Sequence, residues 1–171
     1  MASYPSTEPK WHVLLVRPRS EKKVEQQLKL LGVEACVLTQ KVVKQWSDRK
    51  KVVDTVLFNN YVFVSTLPTQ HNVVFELGNV VIKYLSFGKQ IANLSERDIE
   101  LVKKLAKLSA PVQITYHSLQ KGDRVEFVSG CMMGKQGHIV SVNGAEKIQV
   151  EVEQLQCFGL VELRGVEVRR V

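Results

Sequence analysis

Leu57-Phe58-Asn59-Asn60-Tyr61-Val62-Phe63-Val64 reads as a turn that feeds a strand. Asparagine tolerates positive φ and bonds its own backbone, so Asn59-Asn60 is turn chemistry. The four residues that follow are apolar on both faces of a period-two element, as in a strand buried on both sides. Tyr61 and Phe63 point one way, Val62 and Val64 the other. One face can rest on the domain's own helices. The other carries two rings that need a cover, supplied by a second layer of the protein or by a partner.

Upstream, residues 11–16 are an apolar run short enough for a strand, ended by Arg17-Pro18-Arg19. Ser20 is then a natural N-cap, with Glu21 in the first turn where the helix dipole favours an anion. Val24, Leu28 and Leu31 make one apolar stripe, and Gly32 stands where a C′ glycine belongs, which predicts a helix over 20–31. Residues 33–43 read as extended. Ser47-Asp48 is a reversal between two strands, with Val52 and Val53 on the return. Lys41, Lys44, Arg49, Lys50 and Lys51 make this hairpin the densest basic feature of the chain. Trp46 beside its tip is an anchor or a stacking surface, and packing is the commoner use.

Downstream, residues 69–77 suit a short helix closed by Gly78, and 80–85 a strand, with a turn at Phe87-Gly88. Residues 94–108 carry the best helix pattern: Ser95 and Asp98 stand at capping-box spacing, and Leu94 and Ile99 at the positions of a hydrophobic staple. The stretch 110–118 has a proline and no period, and is expected to be a linker. Beyond it, five short strands (125–128, 137–142, 147–152, 160–163 and 166–169) predict a small closed or half-closed barrel. Asn143-Gly144 marks a type I′ hairpin within it.

Charge divides the same way. Residues 119–171 hold seven Lys/Arg and seven Asp/Glu, whereas 1–118 hold seventeen and ten, so the whole net charge of +7 lies in the first part. That suggests two modules with different partners: either simple solubility or a nucleic-acid surface in the first. Arg17, Arg19, Lys22, Lys23 and the basic hairpin are the groups able to meet phosphates, contacts that position a duplex without reading it. Cys36, Cys131 and Cys157 are odd in number and unclustered, which fits a reducing cytoplasm rather than a disulfide framework or a zinc site. Four scattered histidines and no nucleophile or phosphate-loop motif argue against an enzyme. Met132-Met133 reads as local packing. No membrane span, metal or cofactor is expected. The N-terminal residues 1–9 lack a signal's apolar core and read as a frayed tail.

The order Trp11…Arg17-x-x-Ser20-Glu21-x-Lys23-Val24, then 45–51 (Gln-Trp-Ser-Asp-Arg-Lys-Lys), then 58–64, resembles the N-terminal domain of NusG-type transcription factors. The segment 121–140, with Gly122, Gly130, Gly134 and Gly137, looks like their KOW motif. The resemblance implies an α+β chain: an N-terminal antiparallel sheet flanked by helices (10–109), a linker (110–118), and a C-terminal SH3-like five-stranded barrel (119–171). It implies a non-enzymatic, monomeric elongation factor on the β′ clamp helices of RNA polymerase, which bridges the cleft, holds the clamp closed and suppresses pausing. Leu15, Phe58, Tyr61, Phe63 and Phe87 are the positions that would line the apolar pocket for those helices. Arg17 and the hairpin would face upstream or non-template DNA, and the barrel would recruit a ribosomal protein or Rho. Three departures stand out: Asn59-Asn60 replaces Pro-Gly, Cys131 replaces a proline, and Val37-Leu38-Thr39 replaces an apolar-proline ending. With the wording of 17–20 and 45–51, they look more like specialised paralogues that antiterminate long operons, such as those for surface polysaccharides. Rho recruitment fits the general factor better than such paralogues. The strand pattern and Asn143-Gly144 disfavour a tail that refolds into helices. The competing reading is an RNA- or ribosome-binding KOW protein acting through the barrel, which the zero net charge of 119–171 disfavours.

Overall fold

A computed structural model describes residues 8–171, so most of the expected N-terminal tail lies outside the described residues. The class is α+β: antiparallel sheets with two α-helices among the described residues. The chain divides into two compact units, residues up to Val37 with Phe58–Ile99, and Leu38–Leu57 with Glu100–Val171. This division differs from the expected domains, because the basic hairpin and most of the second helix group with the C-terminal strands.

The first unit is built on a four-stranded sheet, order β2-β5-β1-β6, from β1 (Lys10–Val16), β2 (Glu34–Cys36), β5 (Tyr61–Thr66) and β6 (Val81–Tyr84). The stretch 57–64 decides it as anticipated: Asn60 is left-handed at φ 65, and β5 runs antiparallel to β1 with Val13 opposite Phe63 and Leu15 opposite Tyr61. The Val62/Val64 face, with Leu14 and Val16, buries against Val24 and Leu28 of α1 (Glu21–Leu30). Burying these side chains is worth about 1.5–3 kcal/mol each in area terms. Gly32, at φ 77, ends α1, and Val33 N–H returns to Leu28 O at 2.9 Å. Ser20 makes no side-chain cap bond. The short helix expected at 69–77 is instead two 3₁₀ segments, Pro68–Gln70 and Val73–Val80, the second broken at Gly78 (φ 72, ψ −150). A window with a proline, paired β-branched valines and a glycine is too short and stiff to nucleate an α-helix. A two-residue hairpin, β7 (Ser86–Phe87) and β8 (Gln90–Ile91), follows.

In the second unit, β3 (Thr39–Gln45) and β4 (Lys50–Val56) form a separate two-stranded ribbon. Helix α2 (Glu96–Lys107) has its first residues in the first unit and starts as its sequence demands: Asp98 N–H donates to Ser95 Oγ at 3.2 Å, the two side chains also bond each other, and Leu94 and Ile99 are buried. The five anticipated C-terminal strands are present as β10 (Arg124–Phe127), β11 (Gln136–Val142), β12 (Ala145–Val152), β13 (Cys157–Glu162) and β14 (Val168–Arg170). Asn143 and Gly144 both have positive φ at the β11–β12 turn. Two findings differ from expectation. Residues 110–118 are no free linker, because Val112–Thr115 is a strand, β9, paired with β13. The resulting sheet has six strands in the order β14-β10-β11-β12-β13-β9, with β14 and β9 as edges, so no described ladder closes it into the expected five-stranded barrel. Gly122 and Gly137 are required by close approach: an added Cβ would stand 2.9 Å from Ile139 O and 2.7 Å from Gln149 O. Cys157 is buried and its thiol is pushed up to about 12 by desolvation, which makes it inert. No helix of the described residues is long and apolar enough to cross a membrane.

Candidate functional site

Two surfaces are candidates, one in each unit. The first surrounds the turn at Asn60. Glu21, the first residue of α1, is buried and its Oε1 accepts from Asn60 N–H at 2.8 Å. Val16 N–H donates to Asn60 O at 2.8 Å, so the left-handed residue is held from both sides. A carboxylate that takes a backbone N–H is a strong, oriented acceptor. The helix motif and the ring-bearing strand are thereby one device. Sequence reading gave Glu21 only a dipole role, because its partner lies 39 residues away.

That turn fixes three rings. Phe58 meets Phe63 edge-on at 5.4 Å between centroids and lies nearly parallel to Tyr61 at 6.2 Å. Such pairs are worth about 0.5–1.5 kcal/mol beyond their buried area. The five residues expected to line a pocket are not equivalent. Phe58 and Phe63 are fully buried, Tyr61 and Leu15 half-buried, and Phe87, on β7, exposed. Phe58 and Phe63 therefore belong to the core that the chain builds for itself, and the accessible members are Tyr61, Leu15 and Phe87.

Beside the same sheet, His12 is buried and its Nδ1 donates to Ala92 O at 3.0 Å. Its ring meets that of His71 edge-on at 5.0 Å and that of Tyr84 at 5.8 Å. Tyr84 O–H donates to His71 O at 3.1 Å. Burial and the neighbouring His12 hold His71 below the ordinary imidazole range. These histidines have no third metal-ligating neighbour: among the described residues no cluster of three such side chains exists. With Tyr84 they form a polar cluster of buried and half-buried rings beside the sheet.

The second surface is the ribbon. Strands β3 and β4 pair from Thr39–Val56 to Gln45–Lys50, and Trp46 N–H donates to Arg49 O at 2.8 Å to close the tip. Lys41, Lys44, Arg49, Lys50 and Lys51 are all exposed. Lys44 stands directly opposite Lys51, an arrangement of like charges that destabilises a bare ribbon. On the other face Val43 faces Val52, and both are mostly exposed, 62% and 59%. Trp46 is 51% exposed, so the chain leaves much of its ring uncovered. Among the described residues, the ion pair at the tip joins Arg49 to its neighbour Asp48 at 3.8 Å, loosely. Of the remaining basic candidates, Arg17, Arg19, Lys22 and Lys23 are exposed around the start of α1 in the first unit. Arg17 Nε donates to Asn79 O at 2.9 Å, and Arg19 is left-handed at φ 64. The groups on offer are solvent-facing rings and exposed cations.

A family model described as transcription termination factor nusG matches residues 9–103. No curated protein matches the chain. Among solved structures, one described as domain interaction in Thermotoga maritima NusG is 22% identical, covers 94% of this chain and 97% of its own, and superposes with a TM-score of 0.54. The MjSpt4:Spt5 complex, conformation A, matches 94% of this chain and 98% of its own at 13% identity with a TM-score of 0.32. The family match spans more than half of the chain and includes both the ring-bearing strand and the ribbon, so the chain belongs to the NusG family of transcription factors.

Proposed function

We propose that the chain is a non-enzymatic, cytoplasmic factor that binds the β′ clamp helices of RNA polymerase and suppresses pausing or termination, acting as a specialised antiterminator on particular operons. The observation that carries this reading is the family match across residues 9–103, which contains both surfaces. On this reading the polymerase meets Tyr61, Leu15 and Phe87. Phe58 and Phe63 act from beneath, by holding the Tyr61 ring flat. Removing the Tyr61 ring costs about 2 kcal/mol of polymerase binding.

The action is mechanical. A factor that grips the closed clamp better than the open one shifts that equilibrium by its difference in affinity for the two states. The exposed cations of the ribbon, with Arg17, Arg19, Lys22 and Lys23, hold upstream or non-template DNA. The C-terminal sheet, which carries Gly122, Gly130, Gly134 and Gly137, is the KOW module. It is electrically neutral and so suits a protein partner, such as a ribosomal protein or Rho, better than a nucleic acid.

The test is transcription in vitro with purified polymerase, on templates with and without a candidate leader. Read-through past a terminator that needs the leader supports targeted antitermination. Read-through on both templates makes the factor general. No change on either, together with no retention on isolated clamp helices, sinks the reading.

A further inference from the structure

The expected linker is stitched down at both ends by buried glutamines. Gln40, in β3 at the root of the ribbon, is buried and uses both amide donors and its carbonyl oxygen. Its Nε2 donates to Leu108 O at 2.9 Å and Ala110 O at 2.8 Å, and its Oε1 accepts from Val112 N–H at 2.9 Å. A primary amide offers two donors and an oxygen with two lone pairs, and three backbone groups take both donors and one of the lone pairs. At the far end Gln149, also buried, accepts from Leu119 N–H at 3.0 Å through Oε1 and reaches Ser118 Oγ at 3.5 Å through Nε2. Between them, β9 lies along β13, Glu162 N–H donates to Pro111 O at 3.1 Å, and Lys147 Nζ donates to Gln113 Oε1 at 2.8 Å.

The two anchors are not alike. Gln149 ties the strap to its own sheet. Gln40 ties it to the ribbon. Buried polar groups that lose their partners cost more than the bond they made. If the Gln40 amide leaves, it strands two carbonyls and one N–H of the strap. It also strands itself at the ribbon root, beside the Leu57 N–H to Leu38 O bond of 2.8 Å. Water can replace these bonds only where it reaches the groups, so a partly open state that keeps them buried is poorly satisfied.

We propose that Gln40 is a latch: its amide makes residues 108–112 and the root of the basic ribbon one mechanical element, so that undocking of the strap and loosening of the ribbon are a single event. A ribbon engaged by a ligand then stabilises the docked strap, and a strap pulled off its sheet frees the ribbon. This coupling does not depend on which molecule the ribbon binds.

Amide hydrogen exchange on the full chain tests it. In Gln40→Leu, exchange at Val112 and at Leu57 rises together, by roughly tenfold or more, while amides of β1 and β5 keep their protection. In Gln149→Leu, exchange rises at Leu119 and stays within about twofold at Leu57, because that site is remote from the lost bond. Should the variant fail to fold, the unaltered protein gives the same answer. In rising, sub-denaturing urea the Val112 and Leu57 amides should converge on one opening transition. Independent opening of the two amides, or an unchanged Leu57 in a folded Gln40→Leu, overturns the latch.

Discussion

The stretch 57–64 and the ribbon 39–56 are made of similar material, β-branched residues with an aromatic near a polar turn, yet one is core and the other stands in water. In the first, Val62 and Val64 find Leu14, Val16, Val24 and Leu28, and Phe63 finds Phe58. In the second, Val43 and Val52 have each other, and lysines occupy the positions between them. The difference teaches that strand-forming residues make a core only where charge does not interleave with them. Apolar side chains left facing solvent beside exposed cations add little to stability, and on the proposed function they serve binding.

The largest effect should separate the two regions outright. Phe63→Ala, which deletes a fully buried ring, is expected to cost about 3–5 kcal/mol of unfolding free energy. Val43→Thr on the ribbon should change it by less than about 0.5 kcal/mol. Urea titrations of both variants check this. Equal losses would mean that the ribbon is core after all. Glu21→Ala comes next. It leaves the Asn60 N–H without its acceptor and should cost about 1–3 kcal/mol, on the turn side of the comparison alone.

Both predictions mark where the sequence was readable. Asn59-Asn60, Ser95 with Asp98, and Asn143-Gly144 were legible because each is closed within a few residues, and each turn or cap formed. Glu21 and Gln40 were not legible in their roles, because the groups they hold lie 39 and 68 to 72 residues away and no local pattern announces them. The strand at 112–115 was missed for the same reason: an edge strand with mixed polarity is defined by its neighbour β13, not by its own period. Trp46 was ambiguous because an anchor and a solvent-facing ring have one local signature. Of the five residues assigned to a pocket, the sequence could place the rings but not rank their burial, which depends on what packs over them.

A smaller effect probes the polar cluster beside the sheet. The folded state holds His71 below its unfolded value of 6.5, through desolvation first and the neighbouring His12 second. The unfolded chain therefore binds the proton more readily. The contribution of His71 to stability is full above pH 6.5 and falls as pH drops through 6.5 toward the lower folded value. His71→Gln should flatten the stability profile over that window. A variant with the same acid slope as the unaltered protein would place the sensitivity elsewhere.

The smallest effect on stability is also the one with an opposite sign. Lys51→Glu turns the Lys44–Lys51 pair from repulsion into attraction across the ribbon. The two residues are exposed, so the gain is limited by solvent screening to about 0.5 kcal/mol of unfolding free energy. If the ribbon existed for stability, this would be an improvement in every assay. If it exists to hold a polyanion, the same substitution must weaken DNA binding and lower the dependence of log affinity on log salt by about one contact or more. Stability that rises while DNA affinity falls shows that the like-charged pair is kept for a ligand at the expense of the fold. Stability and affinity that rise together would return the ribbon to the status of a solvated charged face.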